Sequence, residues 1–299
     1  MNDQEAALVE PVSVSAPAKL NLYLHVTGRR DDGYHELDSL VAFADIHDTI
    51  EVRHADNLSL TVEGPFGAAL SAEADNLVLR AARALAEAGG IEPAAQITLT
   101  KTLPVAAGIG GGSADAAATL NALSRLWSLN VPADDLAALA LTLGADVPVC
   151  LERKSAFVGG IGEALTPAPI LPAASLVLVN PLTQLSTPAV FAARTGEFSA
   201  PARFDEIPFD TASLAGLLGD RRNDLTDAAI SLAPEVGAVL QALDDAPGTL
   251  LARMSGSGAT CFGLYKDAAA AKRAAKLVRA KHPGWWVAAG KLLSARAGV

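Results

Sequence analysis

The stretch PVAAGIGGGSADAAATLN, residues 104–121, sets four glycines within five positions against an alanine-rich run. Glycine in regular structure costs about 0.5–1 kcal/mol relative to alanine, so such a cluster marks a tight turn or a place where something approaches the backbone closely. Beyond it Ala117, Leu120, Leu123 and Trp127 recur at helical spacing, which places the glycines at a helix N-terminus. The first N–H groups of a helix lack intrahelical partners and lie at the positive end of its dipole, an arrangement that suits a phosphate. On these residues alone two readings stay open: a strand-to-helix turn capped by Ser113, or an anion cradle. The stretch is not a Walker loop, because no Gly-Lys-Ser/Thr ends it, and GIGGGS departs from the dinucleotide pattern at its last position.

Outward from the turn, AQITLTKTLP (95–104) alternates as a strand, and NLVLRAARALAEAGG (76–90) has helical spacing that stops at a glycine pair. SVSAPAKLNLYLHV (13–26) reads as a strand pair or one long bent strand, DTIEVRH (48–54) and LSLTVEG (58–64) as short strands, and PADDLAALALTLG (132–144) as a helix with acids in its first turn. Near GGIGEALTPAPILPAASLVLVNP (159–181) the composition shifts to glycine and proline, which suggests a boundary at about 155–175. The remainder reads as helices at TPAVFAARTG, ISLAPEVGAVLQAL and DAAAAKRAAKLVRAKH and strands at TLLARMS, ATCFGLY and WWVAAGKL. The expected class is α+β.

With 299 residues, 51% hydrophobic and 19% charged, the chain has ample material for a packed core of one or two domains. A net charge of −10 leaves no broad basic surface for nucleic acid or an anionic membrane, so any bound anion needs a local site. The N-terminus carries acids where a secretory signal carries bases, and no window holds about 18 uninterrupted apolar residues, so a cytoplasmic location is expected. Cys150 and Cys261, both in strand-like apolar runs (DVPVCLE, ATCFGLY), are expected to be buried free thiols. His25, His47, His54 and His282 have no metal-ligand spacing.

Two further stretches bear on the glycine turn. AKLNLYLHVTGRRDDGYHEL (18–37) puts Lys19 and Asn21 on one face of a strand and ends in a polar segment with Tyr34 and His35. RMSGSGATCFGLY (253–265) is a second small-residue loop between two strands. Together with LPVAAGIGGGSADAA and LTLGADVPVC, these stretches resemble, in order and spacing over nearly the whole chain, the superfamily of small-molecule kinases named for galactokinase, homoserine kinase, mevalonate kinase and phosphomevalonate kinase. The match is strongest to the branch that phosphorylates cytidyl-diphospho-methylerythritol in non-mevalonate isoprenoid precursor synthesis.

The resemblance implies an N-terminal domain like ribosomal protein S5 domain 2 over residues 1–165 and a ferredoxin-like domain over 166–299, with the active site in the cleft between them. It implies ATP as phosphoryl donor, with Mg²⁺ held mainly by ATP phosphates and water, and small-molecule substrates without nucleic acid or membrane. The catalytic pair falls on Lys19 and Asp146. The ATP site falls on Asn76, Lys101, Pro104, Gly108, Ile109, Gly110, Gly111, Gly112 and Ser113. The acceptor site falls on Asn21, Tyr34, His35, Thr187, Phe191, Gly256, Ser257 and Gly258, with two aromatics sandwiching the cytosine ring and His35 reading its edge. Ala114 stands where a second serine is common and Asp115 where asparagine is frequent, so no protein ligand is assigned to the metal. Taken singly, Asn76 would be a helix cap and Lys101 a surface charge.

Overall fold

Two long strands, β1 (Val12–Arg29) and β2 (His35–Arg53), pair antiparallel along nearly their full lengths in a computed structural model that describes residues 10–70 and 76–294. Runs of alternating and β-branched residues sustain both strands, so SVSAPAKLNLYLHV is one strand and DTIEVRH the end of another. The register shifts between Pro17 and Lys19 and between Asn21 and Tyr23, irregularities that bend β1 around the residues it presents. β3 (Ser59–Glu63) lies parallel to β4 (Gln96–Thr100), and β4 joins the Arg53 end of β2. A hairpin of β5 (Ala156–Gly159) and β6 (Ala164–Pro167), not foreseen in the glycine-rich segment, joins β2 at Ser39–Val41 and completes a six-stranded sheet.

Helices α1 (Leu77–Gly89), α2 (Gly111–Leu126), α3 (Ala133–Leu143) and α4 (Val147–Glu152) cover one face of this sheet. The segment DVPVCLE is therefore helical, against the strand-like reading. Short apolar runs do not distinguish the two by periodicity, and Pro148 fits the first turn of a helix.

The second sheet, in the order β10 (Trp286–Lys291), β7 (Ser175–Asn180), β9 (Cys261–Tyr265), β8 (Thr249–Met254), is antiparallel throughout. The chain changes sheet between Pro167 and Ser175. Around it lie α5 (Thr187–Ala193), α6 (Thr211–Gly219), α7 (Thr226–Leu232), α8 (Glu235–Asp244) and α9 (Ala268–Lys281). α6, absent from the sequence reading, is set by a capping box between Asp210 and Ser213. ISLAPEVGAVLQAL is two helices rather than one because Pro234 cannot continue α7 and instead opens α8.

Side-chain alternation divides the core. Val177, Val179, Cys261 and Tyr265 face α7, α8 and α9, whereas Leu176, Leu178, Phe262 and Leu264 face Leu20, Leu22, Leu40 and Ala42 of the first sheet. The sheets thus pack face to face, and the chain returns from β10 to pair Leu292 with Ala44. Both cysteines are buried and free, and burial pushes both thiols up.

Candidate active site

The glycine stretch closes a left-handed turn, with φ of +72° at Gly108 and +61° at Gly110, values that suit glycine. Gly110 is the N-cap of α2 and makes no side-chain cap bond, so Ser113 is not the cap but the third helical residue. The turn is pinned to β1 where Lys19 N–H donates to Ile109 O at 2.9 Å. A Cβ on Gly110 would stand 3.1 Å from Lys19 Cβ, whereas one on Gly112 would meet nothing within 4 Å. The first turn of α2 therefore packs on the protein at one side and opens outward at Gly112. Pro104 and Ile109 are buried behind it.

Beside the turn, Lys19 Nζ donates to Asp146 Oδ2 at 2.8 Å. The lysine side chain is 7% exposed and the aspartate's 39%, so a buried ammonium holds a carboxylate that still faces outward. β1 supplies the lysine and the start of α4 the aspartate, 127 residues apart in sequence.

The loop between β8 and β9 forms the opposite wall. Ser255 Oγ donates to Gly108 O at 3.1 Å and accepts from Asn21 N–H at 3.1 Å, and Thr260 N–H donates to Ala107 O at 3.1 Å. Asn223 Nδ2 braces the loop through Met254 O and Gly256 O at 2.9 and 2.8 Å. Asn21 donates through Nδ2 to Ser39 Oγ at 2.8 Å, while its buried Oδ1 has no partner, an acceptor left open beside Gly256.

From this loop the site extends to an aromatic pair. Ser257 Oγ and Thr187 Oγ1 share a hydrogen bond at 2.7 Å, and one turn along α5 Phe191 stacks on His35 with ring centroids 5.2 Å apart and planes at 25°. Tyr34 beside them is 59% exposed. His35 itself lies on Phe191. Burial, then Arg29 and Arg194, lowers the His35 pKa and favours the neutral imidazole.

Asn76 and Lys101 are both buried. Asn76 Oδ1 accepts from Val78 N–H at 2.9 Å as the cap of α1. Lys101, 2% exposed, is no surface charge: its ammonium lies beneath α2, 2.5 Å from Asp48 Oδ2 and 2.6 Å from Asp115 Oδ2. Asp48, Ser255 and Asn223 escaped the sequence reading. Ser255 adjoins the SGSG run and had a signal there, whereas Asp48 is 53 residues from Lys101 and had none.

Residues 76–154 match the N-terminal domain of the GHMP kinases, and residues 210–284 the GHMP kinase C-terminal domain. Fold and site together thus define a small-molecule kinase of the GHMP class, a class that uses ATP as co-substrate. Within it the chain belongs to the 4-diphosphocytidyl-2-C-methyl-D-erythritol kinase family. It is 57% identical to the Paramagnetospirillum magneticum enzyme so named over 282 residues, covering 94% of this chain and 99% of that one. It is 53% identical to the Rhodospirillum rubrum enzyme over 290 residues, covering 97% and 95%. A crystal structure of a 4-(cytidine 5'-diphospho)-2C-methyl-D-erythritol kinase superposes with a TM-score of 0.78 at 37% identity, covering 94% of this chain and 98% of that one.

Proposed function

We propose that this chain transfers the γ-phosphoryl group of ATP to the 2-hydroxyl of 4-diphosphocytidyl-2-C-methyl-D-erythritol. The observation that carries the residue roles is the Lys19–Asp146 pair, an ammonium 2.8 Å from an outward-facing carboxylate beside an open helix N-terminus. A hydroxyl is a poor nucleophile at neutral pH, and Asp146 takes its proton as it attacks. Lys19 orients that carboxylate and stabilises charge developing on the transferring group. The N–H groups from Gly110 to Ser113 receive the phosphates, with Gly112 as the open approach.

Asn21 Oδ1, buried and unpartnered, accepts a hydrogen bond from the acceptor near its reacting hydroxyl. Gly256, Ser257, Gly258 and Thr187 line its diphosphate. The cytosine ring stacks on the outer face of the His35–Phe191 pair with Tyr34 closing over it, since rings 5.2 Å apart leave no gap for a base. Asn76, through the helix it caps, and Pro104 shape the adenine side. Lys101 supports the phosphate turn from below. Mg²⁺ would supply charge neutralisation on the phosphates. ATP phosphates and water would be its main ligands.

In this reading residues 1–165 form the ATP-binding domain and 166–299 the ferredoxin-like domain. The enzyme works in the cytoplasm on small molecules alone. Among the described residues no helix is long and apolar enough to cross a membrane. A coupled assay of ADP release tests the proposal with the cytidyl alcohol, homoserine and mevalonate in turn. Release only with the cytidyl alcohol is expected, and equal turnover of either other alcohol would overturn the acceptor assignment.

A further inference from the structure

Beneath the phosphate turn lie three buried charges that the phosphoryl-transfer chemistry does not use. Lys101, Asp48 and Asp115 are each at most 2% exposed. One ammonium faces two carboxylates, so the fully ionised cluster carries a net negative charge under a helix end that receives anions. The proximity is close, because a Cβ on Gly111 would stand 3.1 Å from Lys101 Nζ.

The two carboxylates are not equivalent. Asp48 Oδ1 accepts from Thr102 N–H at 2.6 Å and Leu103 N–H at 2.8 Å, and its Oδ2 meets the ammonium, so both oxygens of its ionised form are satisfied. Asp115 gives Oδ2 to the ammonium at 2.6 Å, but its Oδ1 is buried without a hydrogen-bond partner. An unpaired buried carboxylate oxygen is costly and neutralisation removes most of that cost, so Asp115 is the member that takes a proton.

The groups around Asp115 agree. β2 contributes Asp48, the segment after β4 contributes Lys101, and α4 contributes the Cys150 thiol, held neutral by burial. The buried positions of α1 and α3 facing α2 are apolar, and on β1 Lys19 is engaged with Asp146. Burial pushes the Asp115 pKa up to about 7; Lys101 opposes the rise and Asp48 adds to it. Burial works against the charge of Lys101, but the two carboxylates outweigh it and keep the ammonium.

We propose that Asp115 takes up a proton from solvent when nucleotide phosphates settle on the glycine turn, making ATP binding proton-linked through a positioning cluster beneath it. The carboxylate becomes a neutral carboxyl, no other bond changes, and the buffer supplies the proton. The sign follows from like charges: added phosphate charge raises the proton affinity of Asp115 further, so ATP affinity falls as pH rises above about 7, by at most about tenfold per pH unit.

The inference rests on the nucleotide site proposed above, and the test separates the two. ATP binding to the whole protein at pH about 7.5 is measured by calorimetry in buffers of different ionisation enthalpy, for the parent and for Asp115→Asn. Proton changes of ATP itself are common to both and cancel. The parent is expected to take up a substantial fraction of one proton more than the variant, and its KM for ATP to rise with pH where the variant's stays flatter. Infrared difference spectra of the parent alone, with and without nucleotide, are expected to gain a protonated-carboxyl band, which decides the matter even if the variant does not fold. Equal proton counts in a folded variant, or no such band in the parent, would overturn the linkage, whereas no binding heat and no saturable ATP dependence would overturn the nucleotide site itself.

Discussion

At the scale of single residues the roles proposed for the Lys19–Asp146 pair and the aromatic pair lie at separable ends of one reaction. Replacing Asp146 by Asn keeps a side chain of the same shape and removes the proton acceptor, so kcat is expected to fall roughly 10²–10⁴-fold with ATP binding little changed. Single-turnover kinetics with separately measured nucleotide affinity checks this, and retention of more than about a tenth of the rate removes Asp146 from the role of base. In the proposed reading Phe191 acts far from the transferring phosphoryl group. Stacking on an aromatic contributes about 1–3 kcal/mol per base, so Phe191→Ala should lower kcat/KM for the cytidyl acceptor by about 5- to 150-fold and leave the KM for ATP nearly unchanged. Unaltered acceptor kinetics would show that the His35–Phe191 stack is a packing contact and not a base platform.

At the scale of the element, the glycines of one turn divide by what surrounds them. Gly112 faces open space, so Gly112→Val is expected to keep the melting temperature within a few degrees and raise the KM for ATP sharply, the new side chain standing where the proposed phosphate site opens. Gly108 has a φ of +72°, and a Cβ there would lie 2.5 Å from Gly258 O and 2.7 Å from Ser255 O. Gly108→Ala should therefore lose stability by more than about 1–2 kcal/mol, since strain in the left-handed region is compounded by a clash with the loop from the other sheet. Thermal melts beside ATP titrations separate the two effects. Equal loss of stability in both variants would mean that the turn has no open face.

At the scale of the whole molecule, the two sheets share a core. Phe262 of β9 is fully buried between them, among Leu20, Leu22 and Leu40 of β1 and β2 and Leu176 and Leu178 of β7. Phe262→Ala is expected to cost about 3–5 kcal/mol and to destabilise both sheets together. Trp127 reports on the first sheet and Trp286 on the second, so single-tryptophan versions unfolded in urea should show coincident transitions that shift in parallel. Two separated transitions would show that the halves fold independently.

Much of this was legible in the amino-acid order. The glycine turn at the start of α2, the single face of β1 that carries Lys19 and Asn21, and the loop between β8 and β9 are local patterns, dictated by backbone freedom and by the two-residue period of a strand. Local pattern did not distinguish the short helix α4 from a strand, because six residues are too few for either period to show. It also gave no reason to place Lys101 in the interior. A lysine alone belongs in water, and this one is buried because the fold brings Asp48 from 53 residues away and Asp115 from the far side of the turn to meet its charge. The Lys19–Asp146 contact and the docking of Ser255 on Gly108 have the same origin. Sequence determined most of the elements and the backbone character of the glycine turn through interactions within a few residues. Tertiary structure alone decided which charges are buried and which oxygen of Asp115 lacks a partner, because these depend on desolvation and distance between segments remote along the chain.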